Sequence, residues 1–474
     1  MRVIHLLRKY NPSEWGGTET AIQRLFDGLR RQEVASVVYA PRIEKNLRIA
    51  DPLAEAGCEV RRFNAFVPIL GMPAREKRQL ISVGGNLMSF DLLASLWRER
   101  EISIVHAHTL GRIGAMGRTV ARRRKVPLVL TIHGGLLDLP ETIRHSIQQP
   151  RLGGWDWGKI FGLLLGSRGL LEEADAIVTC NPTEAGLLQE KFPGKRIQVQ
   201  PHGVVLGNYQ TDHRAAALAA FPQLLSAFVP KRSQYNERPP SPRPSPPGEG
   251  EGGGRSGHIC GSRLQSQSTV HPAEDKYGEC EVLLSVGRID PVKNQAWLVE
   301  QLPAVFQRHP RALMVFAGAC TDEKYGKRIE RQIAELGLGN RVLLTGGLPP
   351  GDARLIGLMQ LAAAVILPSL SETFGLVLLE AWAAGTAVIS SRTSGATALI
   401  KQDENGWLFD LEQPGTFQRV VDTALANPDL RKQLAARGGE LVAAQYDTFV
   451  LAGRMKNLYE TLIEEKNALR HSTR

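Results

Sequence analysis

Two glutamates, Glu372 and Glu380, stand in the stretch SETFGLVLLEAWAAGTAVISS, residues 371–391, which is otherwise nearly free of charge. The preceding AAVIL run reads as a buried strand ending in Pro368-Ser369, and Gly375 to Ala384 reads as a helix closed by Gly385. Glu372 therefore falls in the loop before the helix and Glu380 within it. In an open α/β sheet such a loop lies at the carboxyl edge of a strand, where ligands bind. The N–H groups of Phe374, Gly375 and Leu376 at the helix start form an anion site. An anion flanked by two acids that accept from hydroxyls describes a nucleotide sugar, with Glu380 toward the ribose and Glu372 toward the hexose. Taken alone, the stretch also fits a capping acid followed by an incidental buried glutamate.

A second motif bears on the choice. GRIDPVKN follows the strand pattern VLLSV, which puts Arg288 and Lys293 in a strand-to-helix loop. Two cations there can neutralise a diphosphate leaving group as its charge develops. In the first half, Gly16-Gly17 opens the first helix after the first strand, so the backbone can approach a ligand closely. His133 ends the strand VPLVLTI with Gly134 and Gly135 behind it, and His106 and His108 end another strand on one side. Histidines at i and i+2 could ligate a metal, but the sequence shows no third ligand, and acceptor-side or structural roles are preferred.

The elements that position these residues follow from periodicity. RVIHLL, VASVVYA, ISIVHAH, PLVLTIH, DAIVTC and RIQVQP are strand patterns separated by amphipathic helical stretches, and the alternation restarts at EVLLSVG, ALMVFAG, RVLLTG, AAVILPS and TAVISS. Each half therefore reads as a doubly wound, Rossmann-like α/β domain with its own parallel sheet. The expected divisions are one such domain over 1–205, an interdomain segment over 206–279, a second such domain over 280–440, and a C-terminal helix and tail over 441–474 packing back toward the first domain. ERPPSPRPSPPGEGEGGGRSG, residues 237–257, is nearly all Pro, Gly, Ser and charge, and it predicts a disordered surface insert without chemistry.

Composition narrows the function class. The 474 residues carry a net charge of +10, divided unequally: residues 1–210 hold 29 Lys and Arg against 20 Asp and Glu, or +9, and the remainder +1. Basic clusters at Arg30-Arg31, Arg75 to Arg78 and Arg122 to Lys125 could attract phosphate or an anionic membrane surface, or simply be solvated helix ends. Nucleic acid is disfavoured, because aromatics are only 6% and no zinc-finger or RNA-binding signature accompanies the charge. The absence of a long apolar run and of signal-peptide regions after Met1 predicts a cytoplasmic protein, possible membrane contact being peripheral. Five scattered cysteines suggest neither a disulfide framework nor a zinc site. No Gly-x-Gly-x-x-Gly follows a strand and no phosphate-binding Gly-x4-Gly-Lys-Ser/Thr loop occurs, which argues against an oxidoreductase or a kinase of those types.

SVGRIDPVKN followed by PSLSETFGLVLLEAWAAGTAVISS resembles the donor domain of the family 4 retaining nucleotide-sugar glycosyltransferases (glycosyl transferases group 1), which have the two-domain GT-B fold. The resemblance implies that Arg288 and Lys293 bind the donor diphosphate, that Glu372 contacts the transferred sugar and that Glu380 contacts the ribose. YNPSEWGGTETAIQRL resembles the glycine loop of the family's first domain, and His133 matches a position whose carbonyl and imidazole lie near the anomeric carbon. PHGVVLGNY resembles the family's junction before the interdomain linker, except that Val205 stands where an acid often follows. The implied activity is hexosyl transfer with retention to a saccharide or lipid-linked acceptor, without metal, in surface polysaccharide or lipopolysaccharide assembly. The alternatives are a sugar-nucleotide 2-epimerase or hydrolase on the same plan and a non-catalytic sugar-nucleotide-binding subunit.

Overall fold

A computed structural model of the chain describes residues 1–10, 17–42, 51–55, 57–82, 85, 87–133, 137, 155–227 and 281–472. Gly16, Gly134, Gly135 and the Pro/Gly-rich stretch 237–257 lie outside the described residues.

Aliphatic runs without polar alternation must be covered on both faces, and here they build two parallel sheets. The first contains β1 (Arg2–Leu6), β2 (Ala35–Pro41), β3 (Glu59–Phe63), β5 (Ile104–Ala107), β6 (Leu128–Ile132), β8 (Ala176–Thr179) and β9 (Ile197–Val199), in the order β3-β2-β1-β5-β6-β8-β9. The second contains β10 (Val282–Val286), β11 (Leu313–Ala317), β12 (Val342–Gly346), β13 (Ala364–Leu367), β14 (Ala387–Ser391) and β15 (Trp407–Phe409), in the order β12-β11-β10-β13-β14-β15. A separate antiparallel pair joins β4 (Ile69–Leu70) to β7 (Trp155–Asp156). Two strands of the parallel sheets escape pattern reading for evident reasons, as does the two-residue pair β4 and β7: EVRRF of β3 is an edge strand with charged side chains, and β15 is only three residues long.

Each sheet grows outward in one direction and then reverses. After β1 come β2 and β3 on one side, then β5 pairs on the other side of β1; β10, β11 and β12 are followed likewise by β13 beside β10. The chain therefore leaves neighbouring strands in opposite directions at β1/β5 and at β10/β13. The crevices at these switch points are the natural ligand sites of an open α/β sheet.

Several connections among the described residues hold the halves together. The last helix, Thr448–Ser472, lies against the first helix, Gly17–Arg31, and the approach needs glycine: a Cβ on Gly28 would stand 2.7 Å from Ala452 Cβ and 2.9 Å from the Thr448 carbonyl oxygen. Farther along that helix, the Tyr459 hydroxyl meets His106 Nδ1 at 2.6 Å and Lys466 Nζ meets Asp175 at 2.5 Å. Val204 N–H donates to the Tyr446 carbonyl at 2.8 Å, tying the end of the first domain to the start of the returning segment. Finally, Arg24 of the first helix donates to Glu380 of the second domain at 2.5 Å and to the Gly203 carbonyl at 3.0 Å, all buried. Burial opposes the Arg24 charge, but Glu380 and the Tyr209 hydroxyl outweigh it and raise its pKa.

Residues 206–227, the described start of the expected interdomain segment, pack on the second domain. The helix Arg214–Ala220 lies on the helix Ala353–Leu361, and Ala217, Leu224 and Ala227 join the same apolar core as Val282 and Leu358. The short alanine-rich run gave little periodicity from which to place it. Glu281 N–H donates to the Ala227 carbonyl at 3.0 Å, so residues 228–280 depart and return at adjoining backbone positions. Such an excursion adds only a slowly growing closure cost. Deleting Pro239 to Gly257 is accordingly expected to leave melting temperature and activity nearly unchanged; a large loss of melting temperature would contradict it.

The Arg24–Glu380 pair makes a sharper prediction. Removing one partner of a buried pair leaves an uncompensated charge, at a cost on the order of 3 kcal/mol, whereas removing both does not. Thermal unfolding should therefore rank wild type above Arg24→Met, with the double variant Arg24→Met/Glu380→Leu more stable than Arg24→Met. A double variant as unstable as the single one would refute the pairing.

Candidate active site

Both second-domain motifs leave the sheet at its switch point. The loop after β10 carries Arg288, Asp290 and Lys293, and the loop after β13 carries Glu372. Asp290 shapes the first loop by accepting from the N–H groups of Val292 and Lys293 at 3.0 Å each, and Arg288 Nη2 lies 3.1 Å from its carboxylate. Lys293 Nζ is thereby aimed across the crevice, where it donates to Glu372 Oε2, both side chains being partly exposed. Arg288 is exposed at the mouth. The motif spacing thus brings Lys293 and Glu372, 79 residues apart, into contact.

Beyond Glu372 the backbone turns into the helix Leu376–Ala383 through Gly375, whose φ of +89° is a conformation that favours glycine. No side chain caps this helix, so its first-turn N–H groups are free of side-chain acceptors, the arrangement that binds an anion. Phe374 is buried, with its ring 5.0 Å from that of His202 in an edge contact. Gly17 of the first domain faces this helix start: a Cβ there would lie 3.9 Å from Leu376 Cδ1. Asn181, after β8, donates to the Thr373 carbonyl at 3.0 Å, fixing the glutamate loop against the first domain.

Glu380, expected to accept from the ribose, already has a protein partner. Its side chain is only 10% exposed, and Oε1 is held by Arg24, a partner 356 residues away. A helix position alone gives no sign of such a cross-domain partner.

From the first domain, the ends of β1, β5 and β6 contribute a line of imidazoles. His5 Nδ1 and His108 Nε2 are 3.1 Å apart, and His108 Nδ1 and His133 Nε2 are 2.8 Å apart. The His133 ring then stacks 5.7 Å from that of His202, which reaches Phe374 of the second domain. His202 is thus the imidazole that meets the glutamate loop, with His133 stacked behind it. His5, which the sequence reading did not single out, follows from strand pairing: parallel register sets it beside His106. It is also the third histidine that spacing alone did not supply, since ligand atoms of His5, His106 and His108 all lie within 4.8 Å of one another. Both nitrogens of His106 are engaged, however, with Tyr459 and Thr131 at 2.6 Å each, and the other rings bond one another. Burial is the main cause that lowers all their pKa values: His133 to about 4, with Arg8 adding to the effect, and His202 to about 3. His5, His106 and His108 are lowered well below the usual value. The cluster is neutral at pH 7, suited to donating and accepting hydrogen bonds and not to supplying charge.

Among the described residues, then, the cleft has cations and an uncapped helix start on one wall and neutral imidazoles on the other. Known proteins match the chain in two parts, one on each sheet. A family model described as "Glycosyl transferases group 1" matches residues 266–440, and one described as "Glycosyl transferase 4-like domain" matches residues 16–203. A D-inositol 3-phosphate glycosyltransferase of Segniliparus rotundus is 25% identical over 345 residues, which is 72% of this chain and 62% of that protein, so the match spans less than two thirds of its length. HepE of Anabaena, solved with UDP, superimposes with a TM-score of 0.65 at 16% identity, covering 97% of this chain and 100% of HepE. HepE has also been solved with UDP-glucose. WaaG, described as a glycosyltransferase involved in lipopolysaccharide biosynthesis, gives a TM-score of 0.58 at 15% identity over 96% of this chain and 99% of WaaG. With one model on each of its two sheets and a two-domain architecture shared with solved glycosyltransferases, the chain belongs to the group 1 glycosyltransferases of GT-B fold.

Proposed function

We propose that this transferase moves a hexose from a nucleoside diphosphate sugar to an acceptor on the first domain, with retention of anomeric configuration. The observation that carries the reading is the Lys293–Glu372 pair beside the uncapped helix start at the β10/β13 switch point. A diphosphate on that helix start has Arg288 and Lys293 within the same crevice, so its charge is balanced by the chain's own groups and the reaction requires no metal. Glu372 accepts from hydroxyls of the sugar and orients the ring, while Glu380, exchanging or sharing Arg24, accepts from the ribose.

On this reading the step is front-face substitution. The bond from the anomeric carbon to the diphosphate oxygen breaks and a bond to the acceptor oxygen forms on the same face. The leaving phosphate oxygen takes the acceptor's proton as Arg288, Lys293 and the helix N–H groups stabilise its growing charge. His133, kept neutral by burial, stands on the opposite wall, where its carbonyl and imidazole can meet the sugar without competing for the phosphate. Gly16 and Gly17 let the first helix start approach the donor, with Phe374, Gly375 and Leu376 supplying N–H groups.

The UDP and UDP-glucose complexes of HepE support a nucleotide hexose as donor, and the lipopolysaccharide role of WaaG supports an acceptor in surface polysaccharide assembly. The basic first half, +9 against +1, supports peripheral contact with an anionic membrane face from the cytoplasm.

Arg288→Ala and Lys293→Ala are each expected to lower turnover about a hundredfold or more while leaving the fold intact, the scale on which one stabiliser of developing charge acts. Steady-state release of nucleoside diphosphate measures it. Normal turnover in both variants would sink the phosphate assignment, and a product of epimerised nucleotide sugar would replace transfer with epimerisation.

A further inference from the structure

A cavity of ≈ 610 Å³ opens beside the β1/β5 switch point of the first sheet, on the acceptor side of the cleft. Arg8, just past β1, forms one wall, and Lys159 and Arg168 form another. All three are exposed, and none forms an ion pair with another described residue. The charge of Arg8 also helps to lower the pKa of His133.

The helix Gly158–Leu164 that carries Lys159 is firmly anchored. Arg112 donates to both oxygens of Asp156, at 2.7 and 2.6 Å, and to the Gly158 carbonyl at 2.9 Å. Phe161 faces inward against Phe90 and Trp157. That leaves Ile160, Leu163 and Leu164 facing out, at 55%, 68% and 76% exposure. Next to them Leu70 and Trp155, paired across β4 and β7, are 55% and 64% exposed. A fixed apolar face of this kind bordering a positive pocket is matched by a ligand that is anionic at one end and hydrocarbon at the other. A soluble saccharide has no use for the apolar face. The basic run Arg122 to Lys125 does not belong to this surface. It ends the helix Gly111–Arg124, whose start lines the cavity, and 14 residues place it about 20 Å away. There it offsets the carbonyl end of the helix dipole.

We propose that the cavity takes the phosphate-bearing headgroup of a lipid-linked acceptor, with Arg8, Lys159 and Arg168 around the phosphate and Ile160, Leu163 and Leu164 against the first part of the hydrocarbon chain. This rests on the first domain being the acceptor side of the transferase. The full chain, titrated with farnesyl phosphate and followed by tryptophan fluorescence, should bind it, and should bind farnesol and inorganic phosphate far more weakly. Leu163→Glu/Leu164→Glu, at exposed positions, should weaken farnesyl phosphate binding about tenfold or more, and Lys159→Glu/Arg168→Glu should do so comparably. Arg122→Ser/Arg123→Ser should not. Equal binding by wild type and both pocket variants would overturn the proposal, as would inorganic phosphate binding as tightly as farnesyl phosphate, which would indicate a soluble phosphorylated acceptor. The rise in melting temperature caused by a nucleoside diphosphate sugar is read in the same proteins. Its absence from wild type would count against the donor site and the transfer reading, while lipid phosphate binding would still decide this cavity.

Discussion

A single buried guanidinium spans the division between the two sheets. Arg24 leaves the first helix and closes on Glu380 of the second domain and the Gly203 carbonyl at the domain junction. Taking two charges out of water is unfavourable unless geometry and further hydrogen bonds offset it. Here the second donor atom of Arg24 and its contact with Tyr209 supply those bonds. The pairing constrains how the two switch points face each other, because the first helix begins beside Leu376 and the helix bearing Glu380 begins at the same place. On the proposed reading, in which Glu380 accepts from the ribose, a bound nucleotide would share Glu380 with, or take it from, the residue that ties the domains.

Within that frame the chemistry follows from topology. Loops leaving adjacent strands β10 and β13 oppose a lysine and a glutamate, and loops leaving β1, β5 and β6 oppose imidazoles. Arg288 and Lys293 stand beside the uncapped helix start of the second domain, whereas the first domain's exposed cations Arg8, Lys159 and Arg168 gather around a separate cavity beyond the imidazoles. Burial keeps the histidines uncharged.

Most of this was legible in the sequence where local pattern dictates local structure. The long aliphatic runs became the central strands, and GRIDPVKN and SETFGLVLLE fell on the loops that strand-then-helix patterning assigns them. What escaped depends on partners distant in the chain or on weak local signals. Arg24 looks like any polar residue on an amphipathic helix until Glu380 meets it, and His5 gains its place through register with β5. The short strands β3 and β15, and the alanine-rich helix Arg214–Ala220, carry too little periodicity to declare themselves. The Arg122 to Lys125 run stands out in the sequence, yet it lies at the far end of its helix from the cleft, where the dispersed Arg8, Lys159 and Arg168 meet.

The central claim, that the β10/β13 edge holds a nucleoside diphosphate sugar, is tested most directly by thermal shift of the wild-type chain against a panel of such donors without added metal. A ligand at a hundred times its dissociation constant stabilises the folded state by about 2.7 kcal/mol, so the account predicts that at least one donor raises the melting temperature clearly and that its matching nucleoside monophosphate raises it less. No shift with any donor in the panel, or shifts that appear only after a divalent cation is added, would contradict it.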